Sequence, residues 1–185
     1  MIGSQPWSAN VWVVAGGPSA RSFDVTRMAK DNIILVNDAY KLLTEHQLNT
    51  WRVALCSVDP DWIQGHRRML ARHLGEVYVA VDGYPECDGI AGVVYLNRRH
   101  EYGLSDDPTH LCTGGNSGYA AVNLAYLKGA RTIRMVGFDM DPIDGDKFVE
   151  WAPLFKTMLP QLRKKDVRVV NHNRESFITA FTKET

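Results

Sequence analysis

The chain is poor in cysteine, with three in 185 residues. Cys56, Cys87 and Cys112 are an odd, widely spaced set with no CxxC pair. That excludes a disulfide framework and a thiolate zinc knuckle, and predicts a reducing, cytoplasmic setting. The chain also lacks charge of one sign. Lys+Arg and Asp+Glu both number 21, so no overall basic field exists to hold nucleic acid. The local basic groups (Arg67-Arg68 with Arg72, Arg98-Arg99, Arg163-Lys164-Lys165) read as solvated faces rather than phosphate tracks. No apolar run reaches bilayer length, which predicts no membrane partner. A charged segment followed by an apolar one is missing at the start, so no secretory leader is expected. Internal repeats and low-complexity tracts are missing too. So are G-x-S-x-G, HExxH and G-x-x-x-x-G-K-S/T, and the first turn lacks the G-x-G-x-x-G of a standard NAD site.

What is present is alternation. Short apolar runs predict strands at Val11–Ala15, Ile33–Val36, Val53–Ser57, Val77–Val81, Val93–Leu96, Ile133–Val136 and Val167–Asn171. Helical spacing predicts helices near Val25–Ala29, Ala39–Glu45, Pro60–Leu74, Ser117–Lys128, Phe148–Lys165 and Glu175–Thr182. The order predicts a single Rossmann-like α/β domain over 1–185, with a mostly parallel, doubly wound sheet and helices on both faces. Ser117–Lys128 is apolar almost all round and should be deeply buried, with Gly129 as its stop. Between 82 and 112 the pattern weakens into glycines and prolines, which predicts an irregular flap or insertion.

In such sheets ligands bind at the carboxyl ends of the strands. The first strand runs straight into Gly16-Gly17-Pro18-Ser19. Glycine there allows close backbone approach to a ligand, and Ser19 is placed to cap a following helix whose free N–H groups attract phosphate. Thr113-Gly114-Gly115-Asn116-Ser117-Gly118 opens the buried helix in the same manner. Other strands end in Asn37-Asp38, Ser57-Val58-Asp59-Pro60 and Gly137-Phe138-Asp139-Met140-Asp141. Each has a plain alternative. Asn37, Asp59 before Pro60, and Ser117 are all competent helix caps. Asp139 and Asp141 have the spacing that holds a magnesium ion against a diphosphate, and equally that of a solvated acidic loop. The histidines do not cluster. His66 and His73 are seven apart on one helix, His100 and His110 sit in the irregular stretch where a general base has room, and His172 follows the last strand.

Two segments, VVAGGPSARSFD with IILVNDAY and then GGNSGYAAVNLAYLKGARTIRMVGFDM, resemble the small bacterial sialyltransferases. They also resemble the related pterin-diphosphokinase-like domains, and most of all a branch carried by phages and prophages. The resemblance runs from about Val11 to Phe181. It implies a nucleotide or nucleotide-sugar site made by Gly17, Pro18, Ser19, Asn37, Asp59, Ser117, Gly118, Gly137 and Asp139, and the two Gly-rich loops add Gly16, Gly115 and Asn116 to the expected site. The sialyltransferases have asparagine where Gly16 and Asp59 stand. Their catalytic histidine follows the Gly-x-Asp strand, and here 141–165 holds no histidine. The resemblance therefore assigns no catalytic residue. It implies three functions: a nucleotide-dependent, glycosyltransferase-like transferase acting on an acceptor it does not specify; a magnesium-dependent diphosphotransferase using Asp59, Asp139 and Asp141; or a nucleotide-binding phage protein without catalysis.

Overall fold

The computed structural model describes residues 7–44, 47, 50, 52–99 and 102–184. Eight strands form one sheet: β1 (Asn10–Val14), β2 (Asn32–Val36), β3 (Val53–Ser57), β4 (Val77–Val79), β5 (Val93–Tyr95), β8 (Thr132–Val136), β9 (Arg168–Asn171) and β10 (Thr182–Lys183). Their order is β10-β9-β8-β1-β2-β3-β4-β5, and every pairing is parallel. β6 (Asn97–Arg99) and β7 (His110–Cys112) form a separate parallel pair. The chain winds outward from β1 to β5, then returns to β8 on the other side of β1. The switch point therefore lies between β1 and β8, where doubly wound folds open their ligand crevice.

The apolar runs are continuous because both faces of each strand are covered. Val11 and Val13 join Ile34, Ala54 and Tyr78 in one core, while Trp12 and Val14 join Leu35, Leu55 and Val79 in the other. The first core is roofed by α3 (Ser117–Leu127) and by the run α4 (Lys147–Leu154), a 3-10 turn (Phe155–Met158) and α5 (Leu159–Lys164). All but the last residue of α3 are buried. Asn123, itself fully buried, accepts from the Ser105 and Cys112 N–H groups at 3.1 and 2.8 Å and so fastens the stretch before β7 to the helix. The three cysteines are buried and unbridged, and burial pushes the Cys56 thiol up to about 12.

Helices cover the second face less fully than the sequence predicts. Val25–Ala29 is a 3-10 turn at Val25–Met28, because the Asp24 carboxylate takes the Thr26 N–H. Ala39–Glu45 is a 3-10 turn at Asn37–Leu42, Glu45 lying outside the described residues. Pro60–Leu74 breaks at His66 (φ −111°, ψ 11°) into α1 (Pro60–Gly65) and α2 (Arg67–Leu70). Phe148–Lys165 is interrupted because Pro153 and Pro160 have no N–H to donate. Glu175–Thr182 is not helical. Asn173 accepts the Glu175 N–H, Ser176 Oγ accepts the Ile178 N–H, and the Phe177 N–H goes to Asp139 O, so the donors a helix needs are already engaged. The 82–112 stretch carries regular structure at β5, β6 and β7. No helix among the described residues is long and apolar enough to cross a membrane.

Candidate functional site

At the carboxyl edge of β1, β2, β3 and β8 lies a cleft of about 850 Å³. Its floor is the crossing of the loops after β1 and β8. The Ala15 N–H donates to Val136 O at 2.8 Å and the Gly17 N–H to Gly137 O at 3.1 Å. A Cβ on Gly17 would stand 2.5 Å from Gly137 O and 2.2 Å from Asp139 Oδ2. Gly17 thus serves loop-to-loop contact with ordinary backbone angles (φ −63°, ψ 157°), not the positive φ glycine uniquely allows. Gly137 does need it, at φ +73°, and a Cβ there would stand 2.2 Å from Ala15 O.

Ser19 does not cap a helix. The turn that follows is a 3-10 turn, Pro18–Ser22, whose N-cap is Gly17. Ser19 instead meets Asp139: its Oγ donates at 2.8 Å and its N–H at 3.2 Å, while Asn173 Nδ2 donates to the same carboxylate at 2.8 Å. Asp141 accepts the Ile143 N–H at 2.9 Å and caps a short turn. Both carboxylates of the expected magnesium pair are thus engaged by protein donors. Among the described residues no group of three or more His, Cys, Asp or Glu side chains is placed to hold a metal.

Asp59 caps α1, accepting from the Trp62 N–H at 3.2 Å. The cap of α3 is Asn116 rather than Ser117; its Oδ1 accepts the Tyr119 N–H at 2.7 Å. Ser117 Oγ accepts the Val58 N–H at 3.0 Å, which ties the loop after β3 to the start of α3. Two amide atoms at this edge are buried and lack a partner: Asn116 Nδ2 and, on a residue held at φ +49°, Asn37 Oδ1. Of the residues expected from the sequence to hold a nucleotide or a metal, all line the cleft except Ser19, Asp139 and Asp141.

The sequence reads Arg98 as part of a solvated face and does not single out Lys147, but the fold brings both to the cleft. The Arg98 N–H is held by Asp82 Oδ2 at 2.6 Å, and its side-chain Nε is buried without a hydrogen-bond partner. Arg98 sits in a three-residue strand too short to show a period, so only its place beside a Gly-rich stretch hinted at it. The aromatic wall of Phe148 and Trp151 was likewise absorbed into a helix pattern. Asp38 is also at the cleft. Hydrogen bonds from Lys41 and Trp62 hold its carboxyl below the usual range.

None of the described histidines lines the cleft. His66 stacks on Trp62 at 4.4 Å, and His73 binds Val53 O at 2.9 Å. His110 pairs with Asp107 at 2.8 Å, and His100 lies outside the described residues. His172 is buried against Trp12, Phe23 and Arg134. Burial first, then the charges of Arg27 and Arg134, lower its pKa to about 4.

No family model matches the sequence, and no curated protein matches it. Among solved structures it is similar to the sialyltransferase CstII from Campylobacter jejuni, determined in complex with the substrate analogue CMP-3FNeuAc. The TM-score is 0.50 at 12% identity, over 94% of this chain and 84% of that one. At that identity the likeness is one of fold: the chain carries a sialyltransferase-like, Rossmann-like α/β fold.

Proposed function

We propose that this chain is a cytoplasmic, nucleotide-sugar-dependent transferase of the phage-carried branch, binding its donor in the cleft at the β1/β8 switch point. The observation that carries the reading is the pair of buried, unpartnered amide atoms, a donor on Asn116 and an acceptor on Asn37, facing a cleft that also receives Arg98 and Lys147. Buried polar atoms without partners are costly and mark a place where a ligand completes the bonding. A nucleotide supplies both kinds of match, with donor and acceptor groups on base and ribose and an anionic phosphate for the cations. The 82–112 segment is the flap that brings Arg98 to the phosphate. Donor binding needs no magnesium, since Asp139 is already saturated by Ser19 and Asn173.

One observation favours a second reading, binding without transfer: the cleft receives no described histidine that would take up the acceptor's proton. A screen of nucleotides and nucleotide sugars by thermal shift, with and without magnesium, tests the first step. A ligand at a hundred times its Kd adds about 2.7 kcal/mol, or about 5–10 °C for a chain of this size. Incubation of a shifting nucleotide sugar then separates the readings: release of free nucleotide with glycosylated acceptor marks a transferase. Binding without release marks a module. If no nucleotide shifts the transition, both fail.

A further inference from the structure

On the second face of the sheet the rings of Trp12, Phe23 and His172 close on one another, with centres 5.3 Å (Trp12–Phe23), 5.1 Å (Trp12–His172) and 5.8 Å (Phe23–His172) apart. Two guanidinium groups rest on this cluster. Arg27 lies 5.2 Å over the Phe23 ring and Arg134 lies 5.4 Å over Trp12. Neither arginine forms an ion pair among the described residues. We propose that Arg27 and Arg134 make an oxyanion site and that it takes a phosphate group. The site is separate from the cleft, which none of these five residues lines.

The sheet sets the cluster up. Trp12 on β1 and Arg134 on β8 are partners across the parallel ladder, so their side chains leave the same face. The helices that follow β8 send Phe155, Met158 and Leu162 into the first core. The second face of β8 is therefore left to side chains. Trp12 is nonetheless only 3% exposed, because Arg134, Phe23 and His172 cover it. Arg134 is half-buried and held in place. Arg27, on the 3-10 turn Val25–Met28, is exposed, and its long stem can swing toward Arg134.

Charge and hydrogen bonding decide the class of ligand. A guanidinium only donates. Arg134 Nη1 meets His172 Nε2 at 3.3 Å, so that ring nitrogen accepts and the ring proton sits on Nδ1. Nδ1 is buried and has no hydrogen-bond partner. The cluster thus holds two positive charges and an unmatched donor, with no acceptor to spare. The neighbouring acids are already engaged. Asp24, which feels the charge of Arg27 without pairing with it, accepts from Thr26 Oγ1 at 2.7 Å. Asp31 accepts from Trp12 Nε1 at 2.9 Å, and Glu184 from Arg168 at 2.6 Å. An anion from outside the chain supplies the counter-charge. Two guanidinium forks call for a tetrahedral dianion, which offers a pair of oxygens to each; a carboxylate has a single pair. A phosphate group near neutral pH is such an anion.

The test is a titration of isotope-labelled protein at neutral pH and constant ionic strength. It is followed by the Trp12 indole N–H and the His172 ring signals, while the Gly115 amide reads the cleft separately. The probes are inorganic phosphate, glycerol phosphate and acetate. At least one of the two phosphates is expected to move Trp12 and His172, and acetate is not. Tighter binding of inorganic phosphate assigns the site to the free ion, tighter binding of glycerol phosphate to an ester, and either supports the proposal. Arg27→Gln, at an exposed position, and Arg134→Lys, which keeps the charge and loses the fork, should each weaken phosphate binding about tenfold. Arg163→Gln removes an exposed charge from α5, over the first core, and should bind as the parent does. The proposal is overturned if neither phosphate moves the Trp12 and His172 signals, if acetate binds as tightly, or if Arg27→Gln and Arg134→Lys both titrate as the parent does. An equal loss in Arg163→Gln also overturns it, since the response would then follow net charge alone.

Discussion

Gly17→Ala isolates the crossing of the β1 and β8 loops. The added methyl would sit 2.2 Å from Asp139 Oδ2 and 2.5 Å from Gly137 O, where ordinary contact begins near 3.4 Å. Relief by moving Asp139 forfeits bonds from the Ser19 N–H and Oγ and from Asn173. Moving Gly137 forfeits the hydrogen bond its carbonyl accepts from the Gly17 N–H at 3.1 Å. Overpacking a rigid site costs about 1–3 kcal/mol, and a lost hydrogen bond adds about 1. The sum, about 3 kcal/mol, lowers the melting temperature by about 6–12 °C for a chain of this length. Backbone strain plays no part, since φ −63° suits alanine. Gly16→Ala is the matched control. It adds the same methyl one residue earlier, into open space, so its melting temperature should stay within about 2 °C of the parent. Gly16 lines the cleft, so that variant should instead weaken nucleotide affinity. The two measurements are calorimetric melting and a nucleotide titration. A Gly17→Ala protein that melts with the parent would refute the claim that these loops are interlocked.

Asp139→Asn turns one acceptor oxygen into a donor facing Ser19 or Asn173 and should destabilise by about 1–3 kcal/mol, with no change in the magnesium response of nucleotide affinity. Affinity that collapses with a chelator would overturn it. Asn123→Ala strands the buried Ser105 and Cys112 N–H groups, costing about 2–4 kcal/mol, and hydrogen exchange over 103–112 should quicken well beyond that over β1. His172 is held neutral in the folded protein, with a pKa of about 4 against 6.5 for the unfolded chain. In that window the unfolded state binds the extra proton, so stability is full above pH 6.5 and falls by about 2 kcal/mol as the pH drops toward 4. His172→Phe should flatten that slope in urea melts. An unchanged slope assigns the acid sensitivity to other groups.

The central strands were legible because β1, β2 and β3 are buried on both faces and so read as unbroken apolar runs. α3 was legible because it is apolar all round. The cleft was legible in outline, since Gly-rich loops at strand ends mark it whatever they bind. Roles inside it were not. Gly17 and Gly137 are matched to one another across 120 residues, and no local pattern reports a partner that distant. Asn123 and Tyr119 looked like filler in an apolar helix, yet their polar ends hold the irregular stretch: the Tyr119 hydroxyl accepts the Gly103 N–H at 2.6 Å. Glu175–Thr182 has helical spacing, and three side chain and tertiary bonds override it. Arg98 and Lys147 are ordinary charged residues until the fold turns them toward the same space.

The position of β1 between β2 and β8 also governs the order in which the molecule can assemble. β2 follows β1 closely, but β8 lies more than a hundred residues downstream, so during synthesis one side of β1 stays an open parallel edge for most of the chain's emergence. Such an edge of four buried apolar residues invites pairing with other chains, and long-range parallel closure is slow. The cleft floor is made only when β8 docks, because Gly17 and Ala15 find their acceptors on the β8 side. Half-built chains therefore have no cleft, and a molecule that binds there recognises completion of the sheet. Added during refolding, it should raise the yield of native protein without speeding the earliest collapse.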